Sequence, residues 1–214
     1  MKLLALAAIL PLVVAAPSPE ADSARVQLVN DHFYEGRPVG DFMQHRRNEQ
    51  LNAPSSETAK KLDWTTDGCS VPGVRQALAK YPGLPKFFDF ADPCTRNDFA
   101  YRNYPKSALN SRRNAVDKQF LEDMKAVCAT SIRILKDPCL VLANSYYAAV
   151  RIIGAEHFGQ KTGRAERVHK SWWQELQSNQ TQDILNSIEQ AGQALEKEKS
   201  RVSHSRRLPA RTGF

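Results

Sequence analysis

The stretch Pro93 to Tyr104, which reads PCTRNDFAYRNY, decides the fold of this chain. Wound as an α-helix at about 100° per residue, it places Asn97 on one face with Cys94, Ala100, Tyr101 and Tyr104. Asp98 projects about 100° away from Asn97, so the two polar side chains can serve adjacent but different sites. Phe99 points away from that face, which predicts a helix buried on more than one side. The pattern alone is also that of an ordinary buried helix with a polar pair.

A second helix is predicted from Arg113 to Cys128, where apolar residues recur at three- and four-residue steps. Asp117 lies inside this apolar stripe. A carboxylate in such a position is costly unless another group pairs with it. We therefore expect Asp117 to have a partner on the facing helix, either in a functional site or in a structural buried hydrogen bond.

A third helix is predicted to begin at Asp137-Pro138, which has the form of an N-cap followed by the first helical residue. It runs to about Ile153, and Gly154 and Gly159 are expected to close it. No stretch alternates apolar and polar residues over a length that would predict a strand. The predicted fold class is therefore all-α, with two antiparallel core helices and a third helix.

The N-terminus has the pattern of a secretory signal peptide over residues 1–16. Lys2 supplies a positive start, the run from Leu3 to Ala16 is apolar, and small residues precede Pro17. A membrane span needs roughly 20 apolar residues, so this run is too short to be one. The sequence predicts a secreted, extracellular protein.

Secretion makes the four cysteines readable as two disulfides, for which three pairings are possible. The in-order pairing, Cys69–Cys94 and Cys128–Cys139, closes the shortest loops and is our prediction. Each crosslink should stabilise the fold by about 2–4 kcal/mol, mainly by restricting the unfolded chain. The spacings do not match a zinc knuckle.

The segments flanking the predicted core differ from it in composition. Residues 17–54 mix Pro, Gly and charges and contain the dibasic pair Arg46-Arg47, which predicts a propeptide or a flexible arm, with simple disorder as the alternative. Residues 55–159 form the predicted domain. Residues 160–214 are predicted to be a helical, basic extension, whose paired-tryptophan segment is expected to pack onto the core, with a membrane interface as the alternative.

The net charge of +7 and the pI near 9.3 favour an anionic partner surface. No DNA-binding or RNA-binding signature accompanies the charge, so nucleic acid is not predicted as a partner. Anionic lipid is at least as natural a partner for a basic secreted protein, so a phospholipid or membrane surface is the predicted partner. The sequence does not predict an oligomeric state.

Three motifs in the predicted core resemble those of the secreted phospholipases A2 of fungi and bacteria. They occur in the same order between about Trp64 and Gly154, and they are Asp67-Gly68-Cys69, Cys94-x-Arg96-x-Asp98-Phe99-x-Tyr101-Arg102-Asn103-Tyr104 and Asp117-x-x-Phe120-x-x-Asp123-Met124-x-x-x-Cys128. The resemblance implies two antiparallel helices linked to a calcium loop. It also implies calcium-dependent hydrolysis of the sn-2 ester of glycerophospholipids.

The resemblance implies a role for each residue at a matched position. Asp67, the backbone carbonyl of Gly68 and Asp98 would hold Ca²⁺, a hard cation that prefers several oxygen ligands. Asp117 would orient the catalytic histidine, which in the family directly precedes the second calcium aspartate.

This chain departs from the family at the catalytic position, where Asn97 stands in place of histidine. An amide can orient a water or hydrogen-bond Asp117, but it cannot act as a general base near neutral pH. Loss of such a base costs a factor of about 10²–10⁴ in rate. Ala100 also replaces a glycine that is usual in the family. Three alternatives follow: a slow lipase, a protein that keeps calcium and lipid binding with weak or lost hydrolysis, which we prefer, or a catalytically inactive lipid- or protein-binding scaffold.

Overall fold

The computed structural model describes residues 18–51, 59–69, 74–81, 83–84, 88–159 and 180–205, and the predicted signal peptide lies outside them. The helices are α1 (Pro19–Phe33), α2 (Val39–Leu51), α3 (Val74–Ala79), α4 (Ala91–Asn103), α5 (Leu109–Ala129), α6 (Arg133–His157) and α7 (Gln180–Ser205), with 3₁₀ turns at Ala59–Lys61 and Lys106–Ala108. These residues contain no strand, which confirms the all-α fold class. None of the helices described is both long and apolar enough to cross a membrane.

The two central helices, α4 and α5, are antiparallel, as predicted. Arg96 near the start of α4 pairs with Asp123 near the end of α5. Further along α4, Tyr101 bonds Asp117, which lies earlier on α5. Residues later in α4 therefore contact residues earlier in α5, as in a helical hairpin with a short connection.

Both disulfides form with the predicted pairing. The Cys69–Cys94 bond ties the loop before α3 to the first turn of α4. The Cys128–Cys139 bond ties the last turn of α5 to the second turn of α6. The two crosslinks thus fix one end of each central helix to a neighbouring segment.

Helix α4 is buried on more than one side, as its pattern predicted. Cys94 belongs to one core cluster, which α4 shares with α5, α6 and α7. A second cluster includes the α4 residues Phe99, Ala100 and Tyr101 together with residues of α1, α2 and α5. Because α4 lies between the two clusters, its polar side chains have to find partners inside the protein.

The N-terminal segment, for which the sequence predicts a propeptide or a flexible arm, contains two packed helices, α1 and α2. Val29 and Phe33 of α1 and Phe42 of α2 are buried in the second core cluster against α4. The segment has few such apolar positions among many charges, so its own pattern is weakly helical. Its order comes from burial against α4, which a local reading of the sequence does not contain.

A buried guanidinium joins this N-terminal hairpin to the central helices. Arg96 is 1% exposed. It donates to both carboxylate oxygens of Asp123, with 2.8 Å between Nε and Oδ2, and to the backbone carbonyls of Tyr34 and Arg37 at 3.0–3.1 Å. Those carbonyls lie in the connection between α1 and α2. Arg96 therefore holds three segments together through a bidentate ion pair and backbone hydrogen bonds.

Helix α6 begins at Arg133, so the prediction that it begins at Asp137-Pro138 was wrong. Pro138 lies inside the helix, where it removes a single backbone hydrogen bond near the N-terminal end. Leu135, in the added turn, is fully buried in the first core cluster. Burial of this side chain offsets the cost of the internal proline, and tertiary packing overrides the local signal.

Of the two glycines expected to close α6, only Gly159 follows its end. Gly159 has φ of +74°, and its N–H donates to the carbonyl of Tyr101 at 2.8 Å. Gly154 is helical, and a Cβ atom there would collide with the Tyr101 hydroxyl. The missing side chain at Gly154 therefore makes room for Tyr101 between α4 and α6.

Helix α7, in the C-terminal extension, packs against α6 and α3. Ile188, Ala191 and Leu195 are buried in the first core cluster. The Tyr81 hydroxyl donates to Glu189 at 2.7 Å. The paired-tryptophan segment, for which the sequence predicts packing onto the core, lies within residues 160–179, and these and residues 206–214 are outside the described residues.

Ile188→Ala should lower the free energy of unfolding by about 2–5 kcal/mol, since it removes a fully buried side chain and leaves a cavity. Urea denaturation followed by circular dichroism measures the change. Lys197→Ala, an exposed position on the same helix, is the matched control and should change stability by less than about 0.5 kcal/mol. Equal stability of the two variants would mean that α7 is not part of the folded core in solution.

Candidate active site and calcium loop

The loop from Asp63 to Cys69 is anchored to α4 by a buried asparagine. Asn103, in the last turn of α4, accepts from the Asp63 N–H at 2.8 Å and donates to the Asp63 carbonyl at 2.7 Å. Its side chain also donates to the carbonyl of Phe99 and accepts from Arg25. Together with the Cys69–Cys94 disulfide at the other end, these bonds fix both ends of the loop on α4.

The middle of this loop meets Asp98 directly. The Thr66 hydroxyl donates to Asp98 Oδ2 at 2.6 Å, and the Asp67 N–H donates to the same oxygen at 3.2 Å. Gly68 has φ of +71°, a conformation that L side chains rarely adopt, so glycine is suited to this turn. The structure therefore brings together the loop and the α4 aspartate that the resemblance paired.

The electrostatics of this region are dominated by two neighbouring carboxylates. The pKa of Asp98 is raised to about 7, first by burial and then by the negative charge of Asp67, and these effects outweigh Thr66 and Arg102, which lower it. The Asp67 side chain is half exposed, and the Arg102 guanidinium approaches it no closer than 3.9 Å. A cation shared by the two carboxylates would relieve their repulsion.

This donor set fits calcium. Asp67 and Asp98 offer carboxylate oxygens, the Gly68 turn offers a backbone carbonyl, and the exposed side of Asp67 leaves room for water ligands. Calcium takes six to eight oxygen ligands of these kinds. Calcium needs no nitrogen or sulfur ligand, and the nearby Cys69 cannot supply a thiolate because it is in a disulfide.

Asp117 is fully buried and has partners on two other helices. Tyr101 of α4 donates to Asp117 Oδ1 at 2.6 Å, and Arg151 of α6 donates to Oδ2 at 2.8 Å. Arg113, one turn earlier on α5, lies 3.5 Å from the same Oδ2. Burial raises the pKa of Asp117, while these three partners oppose that shift. The predicted partner on the facing helix is therefore Tyr101, on the face of α4 that also carries Asn97.

Asn97 is buried, and its amide is not bonded to Asp117. Its side-chain nitrogen Nδ2 has no hydrogen-bond partner among the described residues. An unpartnered buried donor is costly, so a native site would normally supply an acceptor such as water or a ligand. The structure does not join Asn97 and Asp117 into a hydrogen-bonded pair, although it buries both at the α4–α5 hairpin.

Sequence reasoning missed several residues of this region. Arg113 could have been found, since it lies four residues before Asp117 on the same helical face. Thr66 directly precedes Asp67, but nothing in its residue type points to Asp98. Arg151 could not be found, because it reaches Asp117 only through the packing of α6 onto α5.

Comparisons with known proteins agree with this geometry. The family model described as prokaryotic phospholipase A2 matches residues 31–154. A protein of Beauveria bassiana named secretory phospholipase A2 is 33% identical over 157 residues, covering 72% of this chain and 73% of that protein. A protein of the same name from Arthroderma benhamiae is 29% identical over 160 residues, covering 72% of this chain and 97% of that protein. The chain thus belongs to the prokaryotic phospholipase A2 family.

Proposed function

We propose that this protein is secreted, binds calcium through Asp67, Gly68 and Asp98, and binds glycerophospholipids with weak or no hydrolysis of the sn-2 ester. The observation that carries the proposal is the buried amide of Asn97 at the position of the family's general base. The calcium loop around it is intact in sequence and anchored to α4 at both ends. In this proposal the residues that bind calcium are kept, whereas the residue that would take a proton from water is lost.

The chain's own residues explain why proton transfer is impaired. The amide of Asn97 can donate through Nδ2 to a water or a lipid oxygen, but it cannot take a proton from water near neutral pH. Asp117 is a poor substitute, because Tyr101, Arg113 and Arg151 surround its oxygens and leave no exposed surface. When bound, calcium would polarise the ester carbonyl and bind the phosphate, and that contribution does not depend on the missing base.

One face of α6 supports contact with a lipid surface. Ile134, Val141 and Ile152 are exposed, at 37%, 50% and 61%. Ile134 and Ile152 are separated by about five helical turns, and Val141 lies about 20° from their line, so the three form one apolar stripe. Exposed apolar side chains on a protein of net charge +7 suit an anionic or zwitterionic membrane surface.

The proposal is tested with phosphatidylcholine liposomes containing some anionic lipid. We expect the purified chain to sediment with them in calcium and to dissociate when calcium is chelated. Release of fatty acid should stay near the uncatalysed background. Binding that ignores calcium would contradict the proposed site, and rapid calcium-dependent hydrolysis would contradict the role given to Asn97.

Asp98→Asn should weaken calcium affinity at least about 100-fold, because it removes the charge of a proposed direct ligand. Isothermal titration calorimetry with calcium chloride measures the change. Asp92→Asn removes an exposed carboxylate from the first turn of the same helix and is the matched control, with no change expected. Unchanged calcium binding by Asp98→Asn would place the ion elsewhere.

The exposed α6 stripe also favours a second candidate, a scaffold that binds lipid or protein without calcium. This candidate gives liposome binding that survives both chelation and Asp98→Asn. The same two experiments therefore distinguish the candidates.

A further inference from the structure

A second group of ligand-type side chains lies on the N-terminal hairpin. His32 is in the last turn of α1, while His45 and Glu49 are one turn apart on α2. One ring nitrogen of each histidine and one carboxylate oxygen all lie within 4.8 Å of one another. Within the described residues, this is the group of three such side chains whose ligand atoms converge closely enough to share an ion.

The group is built into the protein rather than placed on its surface. His32 and Glu49 are buried, and His45 is half-buried. The Tyr34 ring stacks on His45 with 4.7 Å between centroids, and the Trp64 indole packs edge-on against both imidazoles. These aromatic walls restrict the rotation of the two rings, so both rings stay close to the positions that an ion would require.

The two imidazoles face each other through ring nitrogens. His32 Nδ1 and His45 Nε2 are 2.6 Å apart, so one nitrogen must donate to the other when no ion lies between them. Burial lowers the pKa of both histidines, which favours the neutral imidazole that binds a metal ion. Two nitrogens on a tetrahedral ion lie about 3.3 Å apart, and a shift of less than about 1 Å in one ring gives this spacing.

We propose that His32, His45 and Glu49 bind a zinc ion or a similar divalent transition-metal ion, with water in the fourth position. Imidazole nitrogen and carboxylate oxygen are ordinary zinc ligands, and three protein ligands leave one position open. Calcium prefers oxygen ligands alone, so it should select Asp67 and Asp98 instead. The chain would then carry two metal sites that differ in ligand chemistry.

The role of this zinc site is to clamp α1 to α2. The connection between these helices supplies the Tyr34 and Arg37 carbonyls that accept from Arg96. An ion that binds only the folded hairpin stabilises the whole chain by mass action. Zinc would therefore strengthen the docking of the N-terminal helices on α4 without entering the proposed lipid site.

The test uses the untagged full chain, stripped of metal and held in saturating calcium. Titration calorimetry with zinc chloride should give one zinc per chain, and zinc should raise the Tm. His32→Asn and His45→Asn should each weaken zinc affinity at least about 100-fold and lose the Tm increase. Asp31→Asn changes a carboxylate next to His32 on α1 that accepts a hydrogen bond from Gln27, and this variant should keep most of the parent's zinc affinity and its Tm increase.

Two outcomes would overturn the proposal. The first is that the parent chain binds no zinc. The second is full zinc affinity in the His32→Asn/His45→Asn double variant, which would indicate adventitious zinc on other histidines. If these variants fail to fold, X-ray absorption spectroscopy of the zinc-loaded parent chain identifies the ligands of the ion. We expect two imidazole nitrogens and one carboxylate oxygen around zinc, and a shell of oxygen ligands alone would contradict the assignment. Asp98→Asn should retain zinc binding, so failure at the calcium loop is distinguishable from failure here.

Discussion

Replacing Asn97 by histidine is expected to raise calcium-dependent release of fatty acid from phosphatidylcholine liposomes by about 10²–10⁴-fold. The imidazole supplies a base whose pKa lies near neutral pH, where the amide has none. The loop that meets Asp98 and the buried carboxylate of Asp117 are already in place. A continuous pH-stat assay on parent and variant measures the gain.

The controls for this variant separate chemistry from shape. Asn97→Gln keeps the amide and should stay as inactive as the parent, and Asn97→His combined with Asp98→Asn should lose the gain. Because Ala100 is fully buried on the same face of α4, Asn97→His/Ala100→Gly tests whether the larger ring needs more space. If neither histidine variant exceeds the parent, the missing base is not the main reason for low activity.

Replacing Arg96 by methionine is expected to lower the free energy of unfolding by about 3–5 kcal/mol. The substitution leaves the Asp123 carboxylate, which is 3% exposed, without its cation. It also removes the donors to the carbonyls of Tyr34 and Arg37. Urea denaturation monitored by tryptophan fluorescence and by circular dichroism measures the loss.

A matched control and a double variant sharpen this prediction. Lys125→Met removes a cation from an exposed ion pair on α5 and should cost less than about 1 kcal/mol. Arg96→Met/Asp123→Leu removes both buried charges and should be more stable than Arg96→Met alone, since no uncompensated charge remains. Equal losses for Arg96→Met and Lys125→Met would mean that the buried pair does not hold the hairpin.

The sequence predicted the parts of the fold whose signals are local. Spacing along the chain predicts the helix face shared by Asn97 and Tyr101 and the apolar stripe around Asp117. The even number of cysteines predicts two disulfides. These signals predicted the two central helices and both disulfides, and the structure confirms them. The family resemblance added roles for Asp67, Gly68 and Asp98, and their calcium binding stays a prediction.

The parts that could not be predicted depend on packing between distant segments. The start of α6 was misjudged because Leu135 is held by the core, while Pro138 gave a strong local signal for a helix start. The pairing of Arg151 with Asp117 joins residues on different helices. The order of α1 and α2 comes from burial against α4 and from Arg96, and neither is visible within the segment itself.

The docked N-terminal hairpin has a consequence for proteolytic maturation. Endoproteases act most readily on exposed, unfolded loops, but Arg46-Arg47 lies within α2, and the Arg46 guanidinium donates to the Trp64 carbonyl. Cleavage at this dibasic pair would require the helix to open first. Cleavage would also detach the segment that contains Tyr34 and Arg37, whose carbonyls accept hydrogen bonds from the buried Arg96. The segment that the sequence predicts to be a propeptide or a flexible arm therefore contributes buried contacts to the folded chain, and its removal would expose the core residues that it covers.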